Sequence, residues 1–273
     1  MPFPMTNIGG IELSRLMIGS NTFHGFSHFS GARDNWLRRH FTPERIYEVA
    51  RYCAEQGLNC TIAGQKQSYK DVLGQVEKDT GVHIHYIATP GGGNLEELKQ
   101  GIDECADMGC EFCWPHTSWT DARVLPAENR IHEGPEALDY IRKRGMIPGW
   151  STHRPETVIV SDHNGYDAEG YVQILNSIGF LCALETDWEA SIIRGTPKPV
   201  VSIKPLGAGR IMPPTGFNFV YSNIKPIDTV AIGMMSVEEA TEDISIARQC
   251  ISDTCKAPEV ELQVTRSKAN VTK

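Results

Sequence analysis

A chain of 273 residues, 40% hydrophobic and 22% charged, has the composition of a soluble globular protein and the length of one large domain. Its formal net charge of −8 excludes a broad phosphate-binding surface of clustered Lys and Arg. No apolar run approaches the roughly 20 residues of a membrane helix, so the expected partner is a small molecule rather than a nucleic acid or a membrane. The opening "MPFPMTNIGG" lacks a basic segment followed by an apolar one, which predicts a cytoplasmic protein with reduced thiols. Of the eight cysteines, Cys110 and Cys113 form a CxxC in "GCEFCWPH"; the stretch reads as a buried strand, where thiols pack as small hydrophobes.

Strand-like and helix-like segments alternate from end to end. "RLMIGS" is a short apolar run closed by Gly and Ser. The long segment "SNTFHGFSHFSGARDNWLRRHF" reads as a loop, in which Trp36 or Phe26 can stack on the apolar face of a sugar ring. "FTPERIYEVARYCAEQG" has Thr42 as N-cap, Pro43 at the first helical position and Gly57 as the stop. "NCTIA" is the second strand. "VHIHYIAT" is the third, with His83 and His85 on one face and Val82, Ile84 and Tyr86 on the other. "NLEELKQGIDECADMG" carries a capping box of Asn94 and Glu97.

"CEFCWPH" is the fourth strand, "MIPGWSTH" the fifth, "GYVQILN" the sixth, "PVVSIKPL" the seventh and "DTVAIG" the eighth. "GFLCALE" competes for the sixth place. "SVEEATEDISIARQCI" repeats Val237, Ala240, Ile244 and Ala247 at helical spacing. Strands are therefore predicted near 15–20, 58–63, 82–89, 110–116, 146–152, 170–176, 199–205 and 228–233. Strand–helix alternation without a linker predicts parallel strands with helical crossovers and a single (β/α)8 TIM-barrel domain over residues 1–273, with a polar tail over about 256–273.

At this point the chain resembles an aldo-keto reductase over nearly its whole length. The resemblance rests on "NIGGIELSRLMIGSNTFHG", "GLNCTIAGQKQSYKDVLG", "GMIPGWSTHRPETV", "VVSIKPLGAGRI" and "VAIGMMSVEEATEDI", five segments in the family's order. It implies a barrel opened by a hairpin, NAD(P) as cofactor and a catalytic tetrad of Asp, Tyr, Lys and His. In that frame the Tyr position is Lys66, the Asp position is Thr61, and the Lys position is lost where "IAT" runs into Pro90; His116 alone matches. Ser151 and Gln173 match positions that hold the nicotinamide carboxamide, while Thr152 and Ile203 replace the usual Asn and the stacking aromatic. Gly207, Gly209 and Arg210 fall in the phosphate-binding loop, and the adenine end reads Glu242-Asp243.

Strand ends on the C-terminal face of such a barrel carry its chemistry. Here they present Asn21, Thr22, His24, Thr61, Lys66, His116, His153, Asn176 and Lys204, a polar and basic rim suited to a sugar or sugar acid. His116, with a reference pKa near neutrality, is the candidate acid or base. Lys66 can act as a cation, a base or an imine-forming amine. Asn21, His24, Trp36, His153 and Lys204 are the candidate substrate contacts. His24, His116 and His153 with Glu185 or Asp187 can make a His-rich site for Zn or Mn, although no spacing of the HExxH kind supports one.

Three readings follow. The first is a non-redox enzyme that moves protons on a sugar-like substrate, of isomerase or lyase type, through His116 and Lys66. The second is an atypical NAD(P)H-dependent carbonyl reductase. The third is a catalytically silent ligand-binding barrel. Substrate, metal and oligomeric state stay open.

Overall fold

The computed structural model describes residues 2–254; Cys255 and the polar segment 256–273 lie outside the described residues. In chain order, β1 (Met5–Ile8) and β2 (Ile11–Ser14) form a hairpin, followed by β3 (Leu16–Gly19), α1 (Gly31–His40), α2 (Pro43–Glu55), β4 (Cys60–Ala63), α3 (Gln67–Thr80), β5 (His85–Ala88), α4 (Leu95–Asp107) and β6 (Phe112–Cys113). A short α5 (Thr117–Thr120) and a small hairpin of β7 (Val124–Leu125) and β8 (Arg130–Ile131) precede α6 (Gly134–Lys143). The remainder is β9 (Ile147–Pro148), β10 (Trp150–Ser151), α7 (Glu156–His163), β11 (Tyr171–Ile174), α8 (Thr186–Gly195), β12 (Val200–Ile203), α9 (Pro213–Asn223), β13 (Thr229–Ile232) and α10 (Val237–Thr254).

The parallel sheet runs β10-β11-β12-β13-β3-β4-β5-β6-β9. β9 and β10 are two halves of the predicted fifth strand, separated by Gly149. The first half pairs with β6 and the second with β11, so eight strands form the (β/α)8 barrel. Gly149 is where the interior demands the break. A Cβ there would stand 2.5 Å from the Trp114 ring and 2.7 Å from the Gly170 carbonyl oxygen. Trp114 therefore fills the barrel over a residue with no side chain. Gly149→Ala is expected to destabilise the protein by about 1–3 kcal/mol, as overpacked cores do. A denaturation midpoint equal to that of the wild type would remove this account.

Met17, Cys60, Ile87, Phe112, Trp114, Val172, Val201 and Ala231 form the inner core, and Ile8 and Leu13 of the first hairpin join it as a plug at the bottom. The hairpin turn uses Gly9 at φ +57 and Gly10 at φ +89, the left-handed pair that suits a tight two-residue connection. A second, larger core lies between strands and helices. Ala240, Ile244 and Ala247 of α10 belong to it, as do Cys105, Cys110 and Cys113. These thiols are free and buried, in keeping with packing.

Local signals in the sequence match local structure. Asn94 accepts the Glu97 N–H at 3.0 Å, and Glu97 accepts in return from the Asn94 side chain at 2.9 Å. "GYVQILN" supplies β11, while 179–185 is irregular chain.

One helix, α1, stands where the sequence reads as loop, and another, α9, in a stretch to which the sequence reading assigns no element. α1 begins at Ser30, whose hydroxyl accepts the Arg33 N–H at 3.2 Å, and ends in Arg38, Arg39 and His40, cations at the negative end of the helix dipole. Only Leu37 of α1 is buried, so the helix leaves no apolar period to read. α9 starts on two prolines and contains Gly216, where a Cβ would come within 2.8 Å of the Pro205 carbonyl oxygen. The observed ladders are also shorter than the predicted strands, because strand ends leave the sheet to form the upper loops.

Candidate active site

The C-terminal strand ends and their loops enclose a cavity of about 750 Å³, lined by Asn21, Thr22, His24, His28, Lys66, His116, Ser151, His153, Ile203 and Lys204 among others. Such a volume holds a small molecule. The predicted residues Asn21, His24, Lys66, His116, Ser151, His153, Lys204 and Gly209 thus line one space.

Others do not. Trp36 stands exposed on α1, stacked on His40 at a ring separation of 4.4 Å, and Phe26 is the loop aromatic on the cavity wall. Gln173 is fully buried and donates to the Arg154 carbonyl oxygen at 3.4 Å, because alternation along β11 turns Val172 toward the cavity instead. The Arg210 guanidinium bonds the Gly207 carbonyl oxygen and lies over the Phe29 and Phe180 rings. Asn176 is consumed in holding the Phe180 backbone through both its amide atoms, at 2.7 and 3.0 Å.

Lys204 reaches the cavity through its backbone. Val201 belongs to the inner core and Ile203 lines the cavity, so regular alternation would turn the next side chain away. At Lys204 φ is +60, a left-handed conformation uncommon for a residue with a side chain, and it opens the run Gly207, Ala208 and Gly209 at φ +54, +57 and +81. Its ammonium donates to His153 Nε2 at 3.1 Å. Among the described residues it has no ion-paired carboxylate. Burial brings Lys204 down to about 8, with Cys182 and Asp121 opposing. Burial, then Lys204, His116 and His28, pushes His153 down to about 3, so this imidazole is neutral near pH 7.

His116 ends the fourth barrel strand, its N–H bonded to the Pro90 carbonyl oxygen at 2.8 Å. Its Nδ1 accepts the Ser118 N–H at 3.2 Å and lies 2.8 Å from the Ser118 hydroxyl. An Nδ1 held as acceptor leaves the proton of the neutral ring on Nε2. Burial lowers the His116 pKa, Asp121 raises it and Lys204 lowers it again. The ring is therefore a neutral donor at the nitrogen left for a ligand.

Asp121 organises this corner from behind. It accepts the Thr117 hydroxyl at 2.6 Å, the Thr152 hydroxyl, and the His153 N–H at 3.1 and 3.2 Å from its two oxygens. Sequence reading passes over both Asp121 and His28. A lone Asp after "WPHTSWT" has no motif around it, and the left-handed φ of +54 at His28 is invisible in the chain.

Thr61, at the replaced Asp position, turns inward, away from the cavity. The Thr61 hydroxyl donates to the Ile18 carbonyl oxygen at 2.8 Å and lies 3.0 Å from the Tyr69 hydroxyl. Tyr69 is 1% exposed within the outer core, and burial raises its phenol well above the usual range. Lys66 is exposed at the rim, as the N-cap residue of α3. Two polar atoms of cavity residues, Thr22 Oγ1 and His24 Nε2, are buried without a partner among the described residues, a state that costs about 1–3 kcal/mol each until something bonds them.

Among the described residues, one trio of metal-capable donors lies within 4.8 Å of one another: His83, His85 and Glu111. It stands at the entry to β5, on the opposite end of the barrel, where His83 pairs with Glu77 at 2.8 Å and His85 with Glu111 at 3.2 Å. His24, His116 and His153 do not form such a group, and Glu185 and Asp187 belong to the start of α8 rather than the cavity wall.

The far side of the cavity is acidic, with Glu239, Glu242 and Asp243 of α10; burial and the two glutamates raise Asp243 to about 7. None of the cavity cations Arg33, Lys66 and Lys204 pairs with these carboxylates. A ribose 2′-phosphate at that end would meet like charge, so these residues do not fit NADPH.

No protein-family model and no curated protein matches the chain. Solved structures do. A proposed aldo-keto reductase from Pseudomonas aeruginosa aligns with a TM-score of 0.66 at 13% identity, over 92% of this chain and 97% of that one. An aldo/keto reductase from Brucella melitensis aligns at 0.58 and 12% identity, over 93% and 100%. A proposed 2,5-diketo-D-gluconic acid reductase B aligns at 0.58 and 11% identity, over 97% and 95%. At these identities the likeness concerns architecture: the chain has the TIM-barrel fold of the aldo-keto reductases.

Proposed function

We propose that this protein is a non-redox enzyme that moves a proton on a small, anionic, hydroxylated carbonyl compound of the sugar-acid type. The observation that carries this reading is the Lys204–His153 contact at 3.1 Å inside the cavity, with His116 as a second neutral imidazole on the same wall. His116 Nε2–H donates to the carbonyl oxygen as negative charge develops there. The His153–Lys204 pair takes the proton from the adjacent carbon: Lys204 is brought toward neutrality by burial, and His153 becomes a stronger base once the neighbouring ammonium gives up its charge. Lys66 and Arg33, at the rim, supply positive charge for a carboxylate.

The alternative, NAD(P)H-linked carbonyl reduction, finds less support. Of the five residues that the resemblance gives to the cofactor, Ser151 and Gly209 line the cavity and Gln173, Gly207 and Arg210 do not.

The test is proton exchange in D2O followed by NMR, with glucuronate, 2-keto-3-deoxygluconate and pyruvate as probes and no nucleotide present. Deuterium entering the carbon beside the carbonyl, at a rate proportional to enzyme, is expected for at least one probe. Oxidation of added NADH or NADPH by these probes, with no exchange, would overturn the reading in favour of a reductase.

A further inference from the structure

We infer that Lys204 is a covalent catalyst, its Nζ condensing with the substrate carbonyl to form an imine inside the cavity. The inference rests on the proton-transfer reading above and deepens it.

Placement comes first. The left-handed turn at Lys204 lifts this side chain out of the alternation of β12 and into the cavity beside Ile203. Backbone strain of this kind, on a residue other than glycine, costs on the order of 1–3 kcal/mol and persists where surrounding structure holds it. A lysine serving only to fill space could lie along the strand without that cost.

The partner comes second. A buried ammonium is ordinarily matched by a carboxylate. Lys204 has an imidazole instead, His153 Nε2 at 3.1 Å. The titratable groups that act on this pair come from every neighbouring element: Asp121 after α5, Cys182 after β11, His116 after β6 and His28 after β3. The one carboxylate of that set, Asp121, is occupied by the Thr117 and Thr152 hydroxyls and the His153 N–H. The arrangement brings the neutral amine, which is the nucleophile, within easier reach than in an ordinary lysine. Lys66, on the exposed rim, lacks that enclosure and has no hydrogen bond to an imidazole among the described residues, although its charge acts on His24.

The step balances without an oxidant. The Nζ lone pair adds to the carbonyl carbon, and the C=O π pair moves to oxygen, which accepts a hydrogen bond from His116 Nε2. His153 relays one proton from nitrogen to that oxygen, giving a neutral carbinolamine. A solvent proton then lets the hydroxyl leave as water while nitrogen forms the C=N bond. Amine, carbonyl and one proton become an iminium and water. The iminium draws electrons from the neighbouring carbon, whose proton His153 is placed to take. With Lys204 bound covalently, part of the like charge that holds His153 low is redistributed, and the imidazole becomes a better base.

The experiment is reductive trapping. The purified protein is mixed with pyruvate, or with pyridoxal as a more reactive aldehyde, reduced with sodium borohydride, digested and mapped by mass spectrometry. One reduced adduct per chain is expected, on the peptide containing Lys204, at least about 10-fold over any other lysine. Lys204→Arg, which keeps the charge but cannot form the imine, should lose that adduct and keep the wild-type circular dichroism spectrum. Labelling spread evenly over surface lysines with both probes, or no labelling with either, would overturn the inference. Exchange in D2O without trapping would leave proton transfer standing and remove the imine. Trapping without exchange would keep the imine and remove the proton-transfer reading.

Discussion

Replacing Lys204 by Met is expected to lower deuterium exchange by about 100-fold or more, the usual scale for a lost acid–base group, and to raise the melting temperature. Both outcomes have one origin. Burial brings the ammonium from its reference value of 10.5 to about 8, so the fold holds the charged form at a cost. One unit is about 1.4 kcal/mol; with residual solvent at the cavity mouth, we expect the variant to gain about 2 kcal/mol at pH 7, or about 4–8 °C for a chain of this size. The sign in pH follows from proton counts. Below about 8 the lysine is protonated in both the folded and the unfolded state, and the full cost applies. Between about 8 and 10.5 the unfolded state holds a proton that the folded state has released, so wild-type stability rises relative to the variant as pH increases. Thermal melts of both proteins at pH 7 and pH 10 measure this. A variant that melts lower than wild type at pH 7 would show that Lys204 is a structural cation.

Replacing His116 by Ala is expected to cost about 100-fold in turnover, while Tyr69→Phe costs little. His116→Gln should keep more activity than His116→Ala. Gln retains an N–H donor near the place of Nε2, and donation rather than proton abstraction is the role left by an Nδ1 that already accepts the Ser118 N–H. Tyr69 offers no such route. Its hydroxyl is spent on Thr61 within the outer core, and burial holds the phenol protonated. Tyr69→Phe removes one buried hydrogen bond, about 1 kcal/mol of stability, and Thr61 keeps its bond to the Ile18 carbonyl oxygen. Steady-state rates for the three variants decide the matter. Abolition of an NADPH-linked carbonyl reduction by Tyr69→Phe would show a reductase whose acid has moved.

Much of the barrel was legible in the chain because its signals are local. The Asn94–Glu97 capping box and the Thr42-Pro43 start of α2 each report contacts within a few residues. Strand-to-helix alternation reports the rest of the architecture, since a buried parallel strand needs a continuous apolar run and its crossover helix an apolar stripe. The spread of site residues over strand ends was legible for the same reason: His116, His153 and Lys204 each close a readable strand.

What the sequence left undecided depends on contacts between distant segments. Gly149 breaks the fifth strand because Trp114, thirty-five positions earlier, occupies its Cβ space. Trp36 and Gln173 have suitable chemistry and sit next to cavity residues in sequence, yet α1 and the phase of β11 turn them elsewhere. In the sequence Lys66 reads as the catalytic lysine and Lys204 as a substrate contact. A left-handed φ at Lys204 and an imidazole 51 residues away separate them, bringing one amine into the cavity and leaving Lys66 on the rim. Local propensity and periodicity determine which elements form, because they act within a few residues; only the closed barrel decides which side chains share a cavity, how they are desolvated and which proton each one holds.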